Sequence, residues 1–477
     1  MTLIRQTVLY LPAQLLGPLV QLAGIIIWTH WFQPDEFGLF TLVLAAQEAM
    51  YLLFLFAWSQ FLLRFLPGAD ADLRRRMNVL EAWAGVTGAC CQMVTLAVVL
   101  RLAFDRWPQP GLLLTLFLYS LTRAYCTHLG ERAKAEGAIG VYTVLQTMGP
   151  VLGLLLGLLW TRVEPTGPQQ VLMAYTAAQA LSLIIVMPRL SLRARLQAAD
   201  KSLLIHVCAY GLPLAISGTL AWVPTNGIRF LVEHSLGITA VGLFSVGWAL
   251  GQRACAFTAM LVTAAAFPIA LRLQAEGKPA QALQQLSMNG ALLCMVMLPT
   301  AMGVIELSTP MAQTLVSQAY VPATVGILPI ATFAALVKNL RSHFANQPFL
   351  LAQKTGWTLA IDVLETTLFF VGVMAGLHWL GLTGAAWGVL AASLISAIAA
   401  FAIAIFRLGM PVPSAHLLKI VVATAVMGTA LHFLPPFSGW LRLTAAIAFG
   451  AAIYVALLAV FYRHRLGDLR KALNPTF

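Results

Sequence analysis

Nine ionisable side chains stand inside long apolar stretches of this sequence, and they are the residues with chemistry to offer. The basic ones are Arg123, Arg229, Arg253, Lys338 and Arg341; the acidic ones are Glu48, Glu306, Asp362 and Glu365. The stretches that carry them are long enough to cross a bilayer, where a central charge costs at least about 2.5–3.5 kcal/mol and so calls for a partner or for water. Neither Arg123 nor Arg253 has an acid three or four residues away along its helix. A guanidinium at such depth is hard to explain structurally, and its planar fork matches a phosphate through two parallel hydrogen bonds. These two lead a candidate anion-binding set, the lining of a cationic cavity, that also takes in Arg229, Lys338 and Arg341. Arg229 stands four residues before Glu233, so a local clamp competes with a substrate contact.

Lys338 and Arg341 are spaced i, i+3 near the end of one apolar segment, and Asp362 and Glu365 are spaced i, i+3 near the start of the next. A short connection makes the two segments antiparallel neighbours. At about 1.5 Å per residue, Arg341 and Asp362 then share one depth, and Lys338 and Glu365 share another. Two rungs follow, Arg341–Asp362 and Lys338–Glu365, either as a static clasp or as part of a working cycle. Glu48 is the best lone carboxylate for proton coupling, in competition with a plain helix–helix hydrogen bond. His30, His128, His206, His343, His378 and His432 fall near segment ends, where interfacial placement is the default.

The elements that hold these residues are set by composition. Of 477 residues, 60% are hydrophobic and 10% charged, against roughly 25% charged in soluble domains. There is too little charge to cover a water-exposed surface, which excludes a soluble enzyme, a disordered chain and a disulfide scaffold. The expected fold is an all-α integral membrane protein of about 14 transmembrane helices. The apolar segments run 8–32, 39–62, 79–100, 111–129, 138–160, 170–187, 203–232, 240–267, 283–307, 323–346, 357–378, 383–406, 417–434 and 441–461. The first is too long for a signal peptide and reads as a retained span.

The net charge of +12 is mostly a topology signal. With a cytoplasmic N-terminus, 20 basic residues fall on the inner side, among them Arg74, Arg75, Arg76, Arg132, Lys134, Arg189, Arg193, Arg195, Lys201, Arg463, Arg465, Arg470 and Lys471. Only Arg101, Arg106, Arg162 and Arg442 fall outside. Both termini are thus expected in the cytoplasm, and nucleic acid has no place as a partner. Trp31, Trp107, Trp160, Trp379 and Trp440 mark the outer interface and Trp357 the inner one. The six cysteines all lie in apolar stretches without metal-ligand spacing, so no metal, cofactor or disulfide framework is expected.

An internal repeat organises the spans. Tyr10-Leu11-Pro12 opens one apolar run that ends in Phe37-Gly38-Leu39-Phe40, and Tyr210-Gly211-Leu212-Pro213 opens another that ends in Val241-Gly242-Leu243-Phe244. Six spans per copy give both copies one orientation, a parallel repeat about an axis along the membrane normal. The expected domains are 1–201 and 202–407, two six-helix bundles, and 408–477, two additional helices with a basic tail.

The phrase Phe32-Gln33-Pro34-Asp35-Glu36-Phe37-Gly38-Leu39-Phe40 resembles the Pro-x-Glu-aromatic-Gly signature of bacterial polysaccharide flippases. These belong to the multidrug/oligosaccharidyl-lipid/polysaccharide exporter superfamily. Tyr210-Gly211-Leu212-Pro213-Leu214 is similar to the opening of their seventh span, Val241-Gly242-Leu243-Phe244-Ser245-Val246 to their eighth, and Ala266-Phe267-Pro268 is in their manner. The resemblance implies a transporter in the bacterial inner membrane that flips a polyprenyl-pyrophosphate-linked oligosaccharide. The cargo class would be a repeat unit of O-antigen, capsule or exopolysaccharide, with membrane lipids and polysaccharide polymerase machinery as partners. Arg123 would meet the head group, Arg253 would hold it at mid-depth and Arg229 would lie near the exit. A multidrug/cation antiporter of the same superfamily would need an acidic cavity, and the interiors of the first and seventh spans carry no acid; Thr225 and Asn226 fill the polar part of the seventh. A membrane-embedded lipid-linked sugar polymerase or ligase would need a large outer loop, which is missing. A non-transporting scaffold is the least constrained alternative.

Overall fold

The structure, a computed structural model, describes residues 3–103, 109–163, 167–190 and 200–463. Arg106, Trp107, Arg193, Arg195, Arg465, Arg470 and Lys471 of the topology argument lie outside the described residues, as do the side chains of Tyr10, Pro12, Ala266 and Pro268 in the repeat and signature phrases. Every apolar segment expected from the sequence is helical, and the described residues contain no strand. Among the described residues, ten helices are long and apolar enough to cross a membrane. Their outward side chains include Ile205, Ile398 and Leu441, all more than 65% exposed. A surface of that kind is stable against lipid and not against water, and the chain is a multi-pass membrane protein.

The chain forms two compact units, Met1–Glu233 and His234–Phe477. The first holds α1 (Leu3–Thr29), α2 (Pro34–Phe54), α3 (Phe56–Phe65), α4 (Ala71–Ala103), α5 (Pro110–Ala135), α6 (Ile139–Trp160), α7 (Pro168–Val186) and α8 (Lys201–Trp222); the division falls within α9 (Ile228–Leu236). The signature phrase has a local physical cause. Pro34 supplies the preset φ of a first helical residue, and Glu36 reaches back so that its Oε2 accepts from the Gln33 backbone N–H at 2.9 Å. Phe37 and Phe40 of the same phrase are buried, and Trp28 stacks on Phe32 with ring centroids 5.4 Å apart. Two of the expected spans are interrupted. The segment 39–62 is α2 and α3, broken at Leu55, whose φ of −123° leaves the helical range. The segment 203–232 is α8 and α9 joined by a π-helical stretch, Val223–Gly227. Pro224 removes a backbone donor there, and wide turns of this type concentrate at functional positions.

The second unit holds α10 (Ile238–Ala275), α11 (Pro279–Glu306), α12 (Ser308–Leu315), α13 (Val321–Leu340), α14 (Gln347–Leu351), α15 (Thr355–Phe406), α16 (Ser414–His432) and α17 (Trp440–Phe461). The expected spans 357–378 and 383–406 are the two limbs of α15, which reverse at Gly381 with φ 61° and ψ −137°. That conformation suits glycine alone. Behind the reversal the limbs touch backbone to backbone: a Cβ on Gly384 would strike the Gly376 carbonyl, and one on Gly388 the Gly372 carbonyl. Small residues thus set the approach of the limbs, as is common between helices in membranes. A core of Met297, Leu336, Phe349 and Ile361 fixes α11, α13 and α14 against α15.

Candidate functional site

In the first unit, α5 is the helix that carries polar residues on two faces. One face meets α7, where Thr122 Oγ1 donates to Gln179 Oε1 at 2.8 Å. Arg123 follows directly, half-buried. Its guanidinium is in electrostatic reach of Tyr119, Tyr51 and Tyr175, contributed by α5, α2 and α7. Among the described residues, no carboxylate lies within ion-pair distance of it. A half-buried guanidinium within electrostatic reach of three tyrosines suits an anion that brings its own oxygens.

Glu48 also acts on Tyr119, so a carboxylate shares the neighbourhood. It is held across the π-helical stretch: Asn226 Nδ2 donates to Glu48 Oε2 at 3.2 Å, and Arg229 Nη1 donates to Asn226 Oδ1 at 2.5 Å. Glu48 is therefore engaged in a helix–helix hydrogen bond, the second of its two expected roles. Arg229 takes Asn226, three residues before it, where a clamp to Glu233 was the local expectation.

In the second unit the ion-pair prediction needs correction. Arg341 opens a second π-helical stretch, Arg341–Ala345, and is buried. Its Nη1 donates to Asp362 Oδ1 at 3.0 Å and its Nη2 to Glu365 Oε2 at 2.7 Å. Both carboxylates go to one guanidinium because its two terminal nitrogens point in diverging directions, whereas an ammonium offers a single centre. Glu365 Oε1 accepts from Ser393 Oγ on the second limb of α15 at 3.1 Å. Lys338 stands within electrostatic range of Glu365, Arg341 and Asp362. The expected Arg341–Asp362 rung is present, and Arg341 also takes Glu365, so that two cations and two acids form one four-charge cluster. Arg341, with its terminal nitrogens committed at 2% exposure, is unsuited to the anion-binding role. Arg253 lies half-buried midway along α10 and has an interaction of its own, so the argument from an isolated guanidinium narrows to Arg123. Glu306 is met by His432 Nδ1 at 3.0 Å.

The residues that sequence reasoning missed lie on the other face of α5. His128, assigned to an interface, is 2% exposed. Its Nε2 is 2.9 Å from Glu81 Oε1 on α4, and its Nδ1 is 2.9 Å from Ser59 Oγ on α3. Arg132, counted as a loop charge, is fully buried; it bonds the other oxygen of Glu81 through Nη1, Asn78 Oδ1 through Nη2 and Glu136 Oε1 through Nε. A signal was present: His128 and Arg132 are spaced i, i+4, and Glu81 lies near the matching end of the antiparallel segment before them.

Two helical units with polar clusters inside otherwise apolar bundles make up the fold. The solved structure of a lipid II flippase, MurJ, in an inward closed conformation superposes with a TM-score of 0.71 over 96% of this chain and 100% of that one, at 12% identity. An inward-facing multidrug resistance MATE family transporter of the MOP superfamily gives 0.64 over 84% and 98%, at 14% identity. A mutant of the Vibrio cholerae MATE transporter VcmN gives 0.56 over 84% and 96%, at 17% identity. These likenesses establish the fold. Residues 31–325 match the family described as polysaccharide biosynthesis protein, and the chain belongs to that family. A search of curated protein sequences found no match.

Proposed function

We propose that the chain is a flippase that moves a polyprenyl-pyrophosphate-linked oligosaccharide from the inner to the outer leaflet of the bacterial cytoplasmic membrane by alternating access through a cationic cavity. The observation that carries this reading is the Arg123 guanidinium, half-buried among tyrosines with no carboxylate at ion-pair distance among the described residues. The family membership and the fold support the same direction. Such a cargo has a diphosphate that needs a guanidinium, a glycan that needs polar walls, and a tail that stays in lipid. Arg123 would bind the diphosphate through its fork, Arg229 and Arg253 would lie along the path, and the Arg341–Asp362–Glu365 clasp with Lys338 would serve the scaffold. Both termini would be cytoplasmic, and the exported glycan would pass to polysaccharide polymerase machinery. Moving about two negative charges outward releases roughly 4–5 kcal/mol per 100 mV of inside-negative potential, which is enough to drive export without a coupling ion.

The test is transport of a fluorescently tagged polyprenyl-pyrophosphate oligosaccharide by full-length protein in liposomes. The expected result is transfer that rises with an imposed inside-negative potential and falls at least tenfold in Arg123→Gln. Unchanged transfer by correctly inserted Arg123→Gln, or selective transfer of cationic dyes instead, overturns the reading.

A further inference from the structure

The buried cluster around His128 shares Tyr51 with the surroundings of Arg123, and its hydrogen bonds close in two ways. Tyr51 OH donates to Ser59 Oγ at 3.0 Å, and Ser59 Oγ lies 3.0 Å from the Leu55 carbonyl and 2.9 Å from His128 Nδ1. With a neutral imidazole whose Nε2–H points to Glu81, the Ser59 hydroxyl donates to Nδ1, and the run Tyr51–Ser59–His128–Glu81 is complete. With an imidazolium, Nδ1–H donates to Ser59 Oγ, which accepts from Tyr51 through its second lone pair and turns its own proton to Leu55 O. Only one hydroxyl hydrogen moves between the two states.

We infer from this arrangement that His128 is a proton-binding site of the first unit. The anionic partner is in place, since Glu81 faces Nε2 and is anchored on its far side by Arg132. The charged and titratable groups around it are Tyr51 on α2, Glu81 and Arg74 on α4, and Glu131, Arg132, Lys134 and Glu136 on or just after α5. α3 contributes Ser59, α6 contributes Tyr142 beneath Lys134, and α7 contributes Tyr175 beside Arg123. Protonation converts the His128–Glu81 contact from a neutral N–H donor on a carboxylate to an ion pair, and so tightens α4 on α5 as the pH falls. The inference is independent of what the protein carries.

The experiment is nitrogen NMR of full-length protein labelled with 15N-histidine in lipid vesicles, without substrate, between pH 5 and 8.5. One imidazole signal, absent in His128→Gln, is expected to pass reversibly from the neutral to the doubly protonated form within that range. Its midpoint is expected to fall by about one pH unit in Glu81→Gln and in Ser59→Ala, which remove the acceptors of the two N–H groups. Should His128→Gln fail to fold, the signal is identified by its displacement in Tyr51→Phe, which keeps the ring. An imidazole that holds one form across the whole range, or a midpoint unmoved by both acceptor variants, overturns the proposal.

Discussion

Replacing Arg341 with methionine tests whether the charge cluster of the second unit holds that unit together. The wild-type cluster balances two cations, Arg341 and Lys338, against Asp362 and Glu365. Arg341→Met leaves one cation for two acids, of which the Glu365 side chain is 1% exposed and that of Asp362 9%. Removing one partner of a buried ion pair costs about 3–5 kcal/mol, because the remaining charge is stranded without water. Lys338 can turn toward one acid, which places the expected loss at the lower end of that range. For a unit of about 240 residues a loss of about 3 kcal/mol lowers the midpoint of thermal unfolding by roughly 6–12 °C. The second variant decides the mechanism. Arg341→Met combined with Glu365→Gln restores one cation to one acid, so it should recover more than half of the loss, even though it carries more changes. The assay is retention of the monodisperse protein in detergent after heating, read by size-exclusion chromatography. A double variant as labile as the single one would show that Arg341 acts through packing in its π-helical stretch and that the charge count is irrelevant.

Three further outcomes follow. Gly384→Ala drives a methyl into the Gly376 carbonyl and is expected to destabilise the α15 hairpin by about 1–3 kcal/mol or to abolish membrane accumulation; thermal unfolding of the purified variant measures it. Asp200 caps α8 by accepting from the backbone N–H groups of Ser202 and Leu203, and its bonds to Ser202, Leu203 and Arg76 hold its carboxyl down at about 2. A group with a depressed folded value stabilises above its ordinary value and loses that contribution as the pH falls, so amide exchange at the start of α8 should accelerate between about pH 4 and 2, and Asp200→Ala should show that faster exchange already at pH 7. Arg123→Lys keeps the charge and loses the fork, so binding of inorganic pyrophosphate to the detergent-solubilised protein should weaken about tenfold, a difference readable by calorimetry.

The sequence revealed the helices well because apolar runs of about 20 residues need no tertiary information. The start of α2 was set five residues too late, at 39, although Pro34 and Glu36 act within one turn to open it. Less visible were the breaks at Leu55, Val223–Gly227 and Arg341–Ala345. Proline marks only the second of these, and the other two depend on what packs beside them. Asp362 and Glu365 were placed on the right face by their spacing, but spacing along one helix is blind to the reach of a side chain across to another. The guanidinium of Arg341 spans both acids, and no count of residues distinguishes that from two parallel rungs.

The largest miss has the same origin and says most about how such bundles work. Arg132 was placed just past an apolar segment, where charges normally serve topology, and Glu81 was passed over, because hydropathy locates a charge by what surrounds it in the chain. Burial depends on what surrounds it in space. α5 extends to Ala135, several residues past the last apolar run, so Arg132 sits inside the bundle and finds Glu81 there. Charges of this kind are self-neutralising and invisible to a profile, whereas Arg123 is visible because an apolar profile surrounds it. The contrast separates two uses of arginine in one helix: Arg132 is consumed by acids of its own unit, and Arg123, nine residues earlier, has none at ion-pair distance among the described residues. A helix that already neutralises one guanidinium with nearby acids has the means to neutralise the other, and the lack of an acid at ion-pair distance from Arg123 among the described residues is the ground on which an anionic ligand is proposed for it.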